Sequence, residues 1–201
     1  MDRPDTAIGI FADYHGAEAA VSRLAKAGFS TRKLSVAGNG FQAEAKVTGF
    51  RSVDSQIRFW GTQGPFWDSF WEMFLGGTVL TIPAVGSVII LGRLAAMVIA
   101  VVESTVVVGG LSSLGAALHS LGISRGDIIR YESALKAGDI LVLVHSSPAE
   151  LVQACKILAN AHPLEIDVHK TPQAPMTPKT SKAPDSLLHS CAPTIAPFHS
   201  M

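Results

Sequence analysis

Hydrophobic and polar positions fall into three regimes along the chain. Near the N-terminus Ala7 to Ala12 is a short apolar run of strand type. Asp13 follows as a helix cap, and Ala17, Val21, Leu24 and Ala25 then recur at helical spacing until Gly28 stops the pattern. Leu34 to Ala37 reads as a second strand closed by Gly38-Asn39-Gly40, so this region is a β-α-β unit.

The same pattern returns late in the chain. Ser124 and Asp127 open a helix carrying Ile128, Tyr131 or Glu132, and Leu135 at helical spacing and ended by Gly138. Asp139 to His145 is a strand, and Ser147-Pro148-Ala149-Glu150 predicts a capping box with proline at the first helical position. Leu151, Cys155, Leu158 and Ala159 line a helix face, Pro163 ends it, and Leu164 to Val168 alternates as a strand. Two such units fold together as one antiparallel sheet with helices on one face, the ferredoxin-like split β-α-β sandwich, and about 65 residues suffice for it.

Between the two units lies a different regime. Residues 73–124 hold two formal charges, Arg93 and Glu103. Phe74 to Gly92 has none, and Leu94 to Leu118 has only Glu103. Each stretch approaches or exceeds the roughly 20 apolar residues of a membrane span, with Gly92-Arg93 as the turn. If the flanking halves share one sheet, both ends of the insertion emerge on one side, which forbids a single span and predicts a hairpin. Arg51, Arg58, Arg125 and Arg130 near its ends place both termini in the cytoplasm of an inner-membrane protein. Gly109, Ser113 and Ala117, spaced by four, suit close helix packing in lipid. Pro83 would kink the first span toward a neighbouring helix, and Trp60, Trp67 and Trp71 precede it as an interfacial belt.

Glu103 would fall in mid-span, about 15 Å of helix rise from Arg93, so the two form no local pair. It admits three readings: a neutral group hydrogen-bonded across helices, a residue lining an oligomer interior or ion path, or a sign that the segment is instead a buried helical hairpin. The expectation is therefore an α+β chain in five parts: a first β-α-β half (6–40), a linker with the aromatic belt (41–72), an apolar transmembrane helical hairpin (73–123), a helix with the second half (124–170) and a disordered tail (171–201).

Composition removes several function classes. Lysine plus arginine and aspartate plus glutamate are 16 each, so the chain has no electrostatic footprint for nucleic acid. The N-terminus lacks the pattern of a cleaved signal peptide. Residues 171–201 hold six of the eleven prolines and no glycine, the composition of a solvated tail. Cys155 and Cys191 make no disulfide framework. No phosphate loop or GxGxxG occurs, no histidines pair at helical spacing, and no catalytic constellation assembles. His145 and His169 end the third and fourth strands, where a two-ligand metal site competes with plain strand ends. No catalytic, cofactor or metal residue is expected.

Several stretches carry a resemblance. They are Trp60, Gly61, Phe66 and Trp67; Ile82, Pro83, Val85 and Gly86; Gly109, Gly110, Gly115, Gly122 and Ile123; and Tyr131, Glu132, Ala134, Leu135, Lys136 and Gly138. In this order the chain, over roughly residues 6 to 169, resembles the bacterial family of general-stress or low-temperature-induced membrane proteins. Asp68, Glu72, Ala84, Ser87 and Ser124 depart from that pattern. The resemblance implies membrane association and a link to stress, without a reaction. The expected function is a non-enzymatic, homo-oligomeric membrane protein with the lipid bilayer as partner. The alternatives are a small-ligand-binding regulatory module and an oligomeric channel or transporter component using Glu103.

Overall fold

The computed structural model describes residues 4–39, 73–74, 77–83, 85–104 and 110–171. The first unit is β1 (Asp5–Phe11), α1 (Tyr14–Lys26), a single 3-10 turn (Thr31–Lys33) and β2 (Leu34–Asn39). The apolar middle supplies β3 (Gly77–Ile82), β4 (Gly86–Gly92), α2 (Arg93–Glu103) and α3 (Ser113–Ser120). Then come α4 (Arg125–Ala137), β5 (Ile140–Ser146), α5 (Pro148–Ala159) and β6 (Glu165–His169).

Local signals account for the boundaries. Asp13 caps α1 by accepting the Gly16 N–H at 2.7 Å. Ser124 caps α4 through the Asp127 N–H, and Gly138 ends it in the left-handed region at φ 98°. The strands form one antiparallel sheet in the order β3-β4-β2-β5-β1-β6. The first strands of the two β-α-β units, β1 and β5, pair with each other, and the second strands, β2 and β6, flank them.

Both faces of the sheet are covered. On one face Ala7, Phe11, Val36, Val142 and Val144 pack with Val21 and Leu24 of α1 and Leu151 and Leu158 of α5. On the other, Ile8, Ile10, Leu141 and Leu143 pack with Leu94 and Val98 of α2, Leu114 and Leu118 of α3, and Ile128, Tyr131 and Leu135 of α4.

This overturns the expected transmembrane hairpin, and with it the inner-membrane location. Among the described residues no helix is long and apolar enough to cross a membrane. The first apolar stretch is a β-hairpin, because Thr78, Val79, Ile82, Val88, Ile89 and Ile90 are β-branched residues that favour a pleated surface. The chain reverses between Ile82 and Gly86: the Val85 N–H donates to the Ile82 carbonyl at 3.1 Å, and Gly86 has φ 107°. The unbroken apolar run has a simple cause. Val88 and Ile90 join one core and Ile89 and Leu91 the other, so none of these four central positions of β4 faces water. The second stretch divides into an 11-residue α2 and an 8-residue α3, the former about 16 Å long against a hydrocarbon core of about 30 Å.

Gly92 makes the change from strand to helix. Its φ is 78°, and a Cβ there would lie 2.3 Å from the Leu34 carbonyl oxygen and 2.9 Å from the Phe74 ring. Only glycine fits.

Candidate functional site

Polar side chains gather on the face covered by α2, α3 and α4. Side chains alternate along a strand, and the register brings Thr6 opposite His145 on one neighbour and His169 on the other. Thr6, Ser35 and His145 are almost wholly buried there. The Leu94 N–H at the start of α2 donates to Ser35 Oγ at 3.0 Å. Ser35 Oγ lies 3.1 Å from His145 Nε2, and His145 Nδ1 lies 3.1 Å from Thr6 Oγ1. Burial, with the Arg93 charge adding to it, pushes the His145 pKa down to about 3. The imidazole is neutral at pH 7, so one ring nitrogen donates and the other accepts. This line therefore satisfies a buried histidine, two buried hydroxyls and an orphan N–H of α2 together.

A second group lies between α4 and β6. Tyr131 OH is 2.8 Å from Asp167 Oδ2 and 2.6 Å from His169 Nε2. A carboxylate only accepts, so the phenol donates to Asp167, which leaves His169 Nε2 as the donor to the phenol oxygen. Burial first, then the Asp167 carboxylate, raises the Tyr131 pKa far above its ordinary value. Burial also lowers that of His169. Arg130 donates to Asp167 at 2.7 Å, to Asp127 at 2.9 Å and to Glu165. Asp127 is held below the usual carboxylate range, chiefly by its hydrogen bond from Ser124. This group is half-exposed: the Arg130 side chain is 38% exposed and that of Asp167 23%.

A third group caps the opposite side of the sheet end. Lys33 Nζ donates to Glu150 at 2.8 Å, and the Ser146 hydroxyl also donates to this carboxylate. The Lys33 hydrogen bond leads in pulling the Glu150 pKa down to about 2. The expected capping box is altered accordingly: Ser147 stands at the N-cap without a side-chain cap bond.

The residues singled out from the sequence lie elsewhere. Arg93 and Glu103 sit exposed at the two ends of α2, and Pro83 is exposed in the β3–β4 turn. None of the three lies in a helix long and apolar enough to cross a membrane. Ser113 begins α3 behind its cap Ser112, and Ala117 is buried against the sheet, so this spacing packs an ordinary core helix. Gly109, Trp60, Trp67 and Trp71 lie outside the described residues, as do 172–201 of the tail. His145 and His169 flank Thr6 on opposite sides but turn to separate partners, and no group of metal-ligating side chains forms among the described residues. Cys155 is half-buried, and burial raises its thiol pKa.

Motif residues of the late segment do meet here. Tyr131 joins the second group, and Glu132 receives the Ser112 hydroxyl at 2.5 Å while Ser112 caps α3 through the Gly115 N–H. Gly115 is tightly seated, since a Cβ would come within 3.1 Å of Glu132 and Ile128. Ser35, Thr6 and Asp167 were not singled out. Their one sequence signal is a polar residue inside an apolar strand, which by itself looks like the solvent-facing side. The chain matches no family model, no curated protein and no solved structure.

Proposed function

We propose that this chain is a non-enzymatic regulatory protein with a stress-related role, in which the polar groups fix the fold. The observation that carries this reading is the sealing of the Ser35–His145 pair. The serine hydroxyl, the group a hydrolase would use as nucleophile, is buried and accepts the Leu94 N–H. The histidine's far nitrogen meets a threonine hydroxyl where a catalytic dyad would be oriented by a carboxylate. The stress link rests on the family resemblance of the motif string. The direct test is turnover of activated ester and phosphoester substrates by the wild type and by Ser35→Ala. Equal background rates are expected, and a turnover abolished by Ser35→Ala overturns the reading. For the stress link, the amount of protein is expected to rise after a shift to low temperature, and an unchanged amount removes it.

A second reading, a small-ligand-binding regulatory module, is favoured by the half-open Arg130 group. There a guanidinium, two strand carboxylates and an imidazole are partly exposed above the buried Tyr131 phenol. A thermal-shift screen with nucleotides and metabolites tests it. A stabilising hit lost in Arg130→Met is expected, and a flat screen counts against it.

A further inference from the structure

β2 and β3 both pair antiparallel with β4, which lies between them, so they run parallel to each other. The chain leaves β2 at Asn39, level with Val88 of β4, and enters β3 at Gly77, level with Leu91. It must therefore travel back along the strands and pass over one face of β4. On one face that place is taken, because α2 packs directly on β2, β4 and β3. On the other face α1 rests on β1 and β5, and α5 on β1, β5 and β6. β4 and β3 lie to one side of both helices, yet Ile89 and Leu91 are wholly buried on that face and Val79 beside them is half-buried.

Both ends of the connection are held on the α1–α5 face. At the exit the Tyr14 hydroxyl, at the start of α1, donates to the Asn39 carbonyl at 3.3 Å, and Tyr14 packs on the α1–α5 core. At the return Phe74 is buried in the same core. The gap between the ends, two strand spacings across and three residues along, is about 14 Å. About five extended residues would bridge it, so residues 40–76 are long enough to form a layer.

We propose that residues 40–72 cross the α1–α5 face above β4 and bury aromatic side chains on Ile89, Leu91 and Val79, extending the layer of α1 and α5 to the β3 edge of the sheet. The segment holds all three tryptophans of the chain, Trp60, Trp67 and Trp71, and five of its nine phenylalanines. Side chains of this kind carry large apolar areas and need an apolar surface to cover. The aromatic stretch expected to mark a membrane boundary is thus the cover of a sheet.

The test uses the full chain, in which tryptophan emission reports on residues 60–71 alone. Native emission is expected to be blue-shifted and shielded from acrylamide, relative to the chain in denaturant. Val79→Asp sets a charge on the α1–α5 face and is expected to shift the emission to the red and open it to the quencher. Leu80 is the next residue and also half-buried, but it packs on the α2 face. Leu80→Asp is expected to leave both readings near those of the wild type. Circular dichroism checks that each variant keeps its sheet, and if Val79→Asp unfolds, Val79→Thr is expected to show the same change in lesser degree. Wild-type tryptophans as open to acrylamide as in denaturant overturn the proposal. A response to Leu80→Asp equal to or larger than that to the Val79 variant, or no response to either, overturns it equally.

Discussion

The two faces of the sheet are built on different principles. The α1–α5 face is filled by apolar side chains drawn mainly from the two β-α-β units, with Phe74, Ile89 and Leu91 added by the middle segment. The opposite face is covered by α2 and α3 from that segment together with α4, and it admits a buried line of polar groups. An apolar layer needs only shape and volume. A layer with Ser35, His145 and Thr6 inside it also needs each hydrogen bond in place, because an unsatisfied buried group costs about 1–3 kcal/mol. The second face is thus the one whose geometry is specified most tightly, and it is the one assembled from distant parts of the chain.

The sharpest way to break the second face is at its hinge. Gly92→Ala would set a methyl against the Leu34 carbonyl in a backbone region that L side chains rarely adopt. It is expected to cost about 3 kcal/mol or more, enough to unfold a marginal domain. Gly28, also at positive φ, has open space around it, so Gly28→Ala is expected to cost only about 1 kcal/mol of backbone strain. Chemical denaturation of both variants checks the contrast, and equal losses would deny that α2 must leave β4 at that angle.

Next comes the buried histidine. His145 has its pKa lowered from the ordinary 6.5 to about 3 by burial. Below pH 6.5 the unfolded chain binds a proton that the native state refuses, so stability falls as pH drops. The slope is about 1.4 kcal/mol per pH unit and persists until the native imidazole titrates near pH 3. His145→Gln keeps a donor and an acceptor but cannot titrate. It is expected to flatten that slope, read as the difference between wild-type and variant unfolding free energies from pH 7 to 4. Parallel curves would mean that the imidazole is hydrated or charged in the native state.

These residues also mark where the sequence was readable. Asp13, Ser124, Gly28 and Gly138 announce the ends of α1 and α4 because capping and left-handed turns are local chemistry. The β-α-β periodicity was legible for the same reason. The middle segment was not. A strand covered on both faces is apolar at every position, as Ser87 to Gly92 nearly is, and hydropathy alone cannot separate it from part of a span. The β-branched run Val88-Ile89-Ile90 and the glycines at 86 and 92 were the available clues to a hairpin. Of the candidate site, Tyr131 stood in a recognisable motif. Ser35 and Thr6 were invisible, since a lone hydroxyl in a strand acquires meaning only when the register sets a histidine beside it.

A smaller effect separates the sealed line from the half-open group beside it. Tyr131→Phe keeps the buried ring and removes the hydroxyl between Asp167 and His169. Arg130 still holds Asp167, and His169 can turn to water, so the loss is expected near 1 kcal/mol. Thermal unfolding of Tyr131→Phe beside His145→Gln ranks the two, and a larger loss for the tyrosine would reverse the order of importance argued for them.

The smallest effect is expected where an ion pair has the best geometry and the most water. Lys33 meets Glu150 at 2.8 Å, and the carboxylate is strongly depressed in pKa, yet both side chains are nearly half exposed. Solvent screens such a pair, and ordering two long side chains offsets what attraction remains. Lys33→Met is therefore expected to leave the unfolding midpoint at pH 7 unchanged within error, in low and in high salt alike. A depressed carboxylate pKa means stability that is present at neutral pH and lost as pH falls through it, so any contribution from Glu150 is in full at pH 7 and disappears on acidification from about pH 4.5 toward pH 2. A clear loss at pH 7 would show that the pair is shielded from water, and that exposed charge at this end of the sheet carries weight comparable with the buried line at its centre.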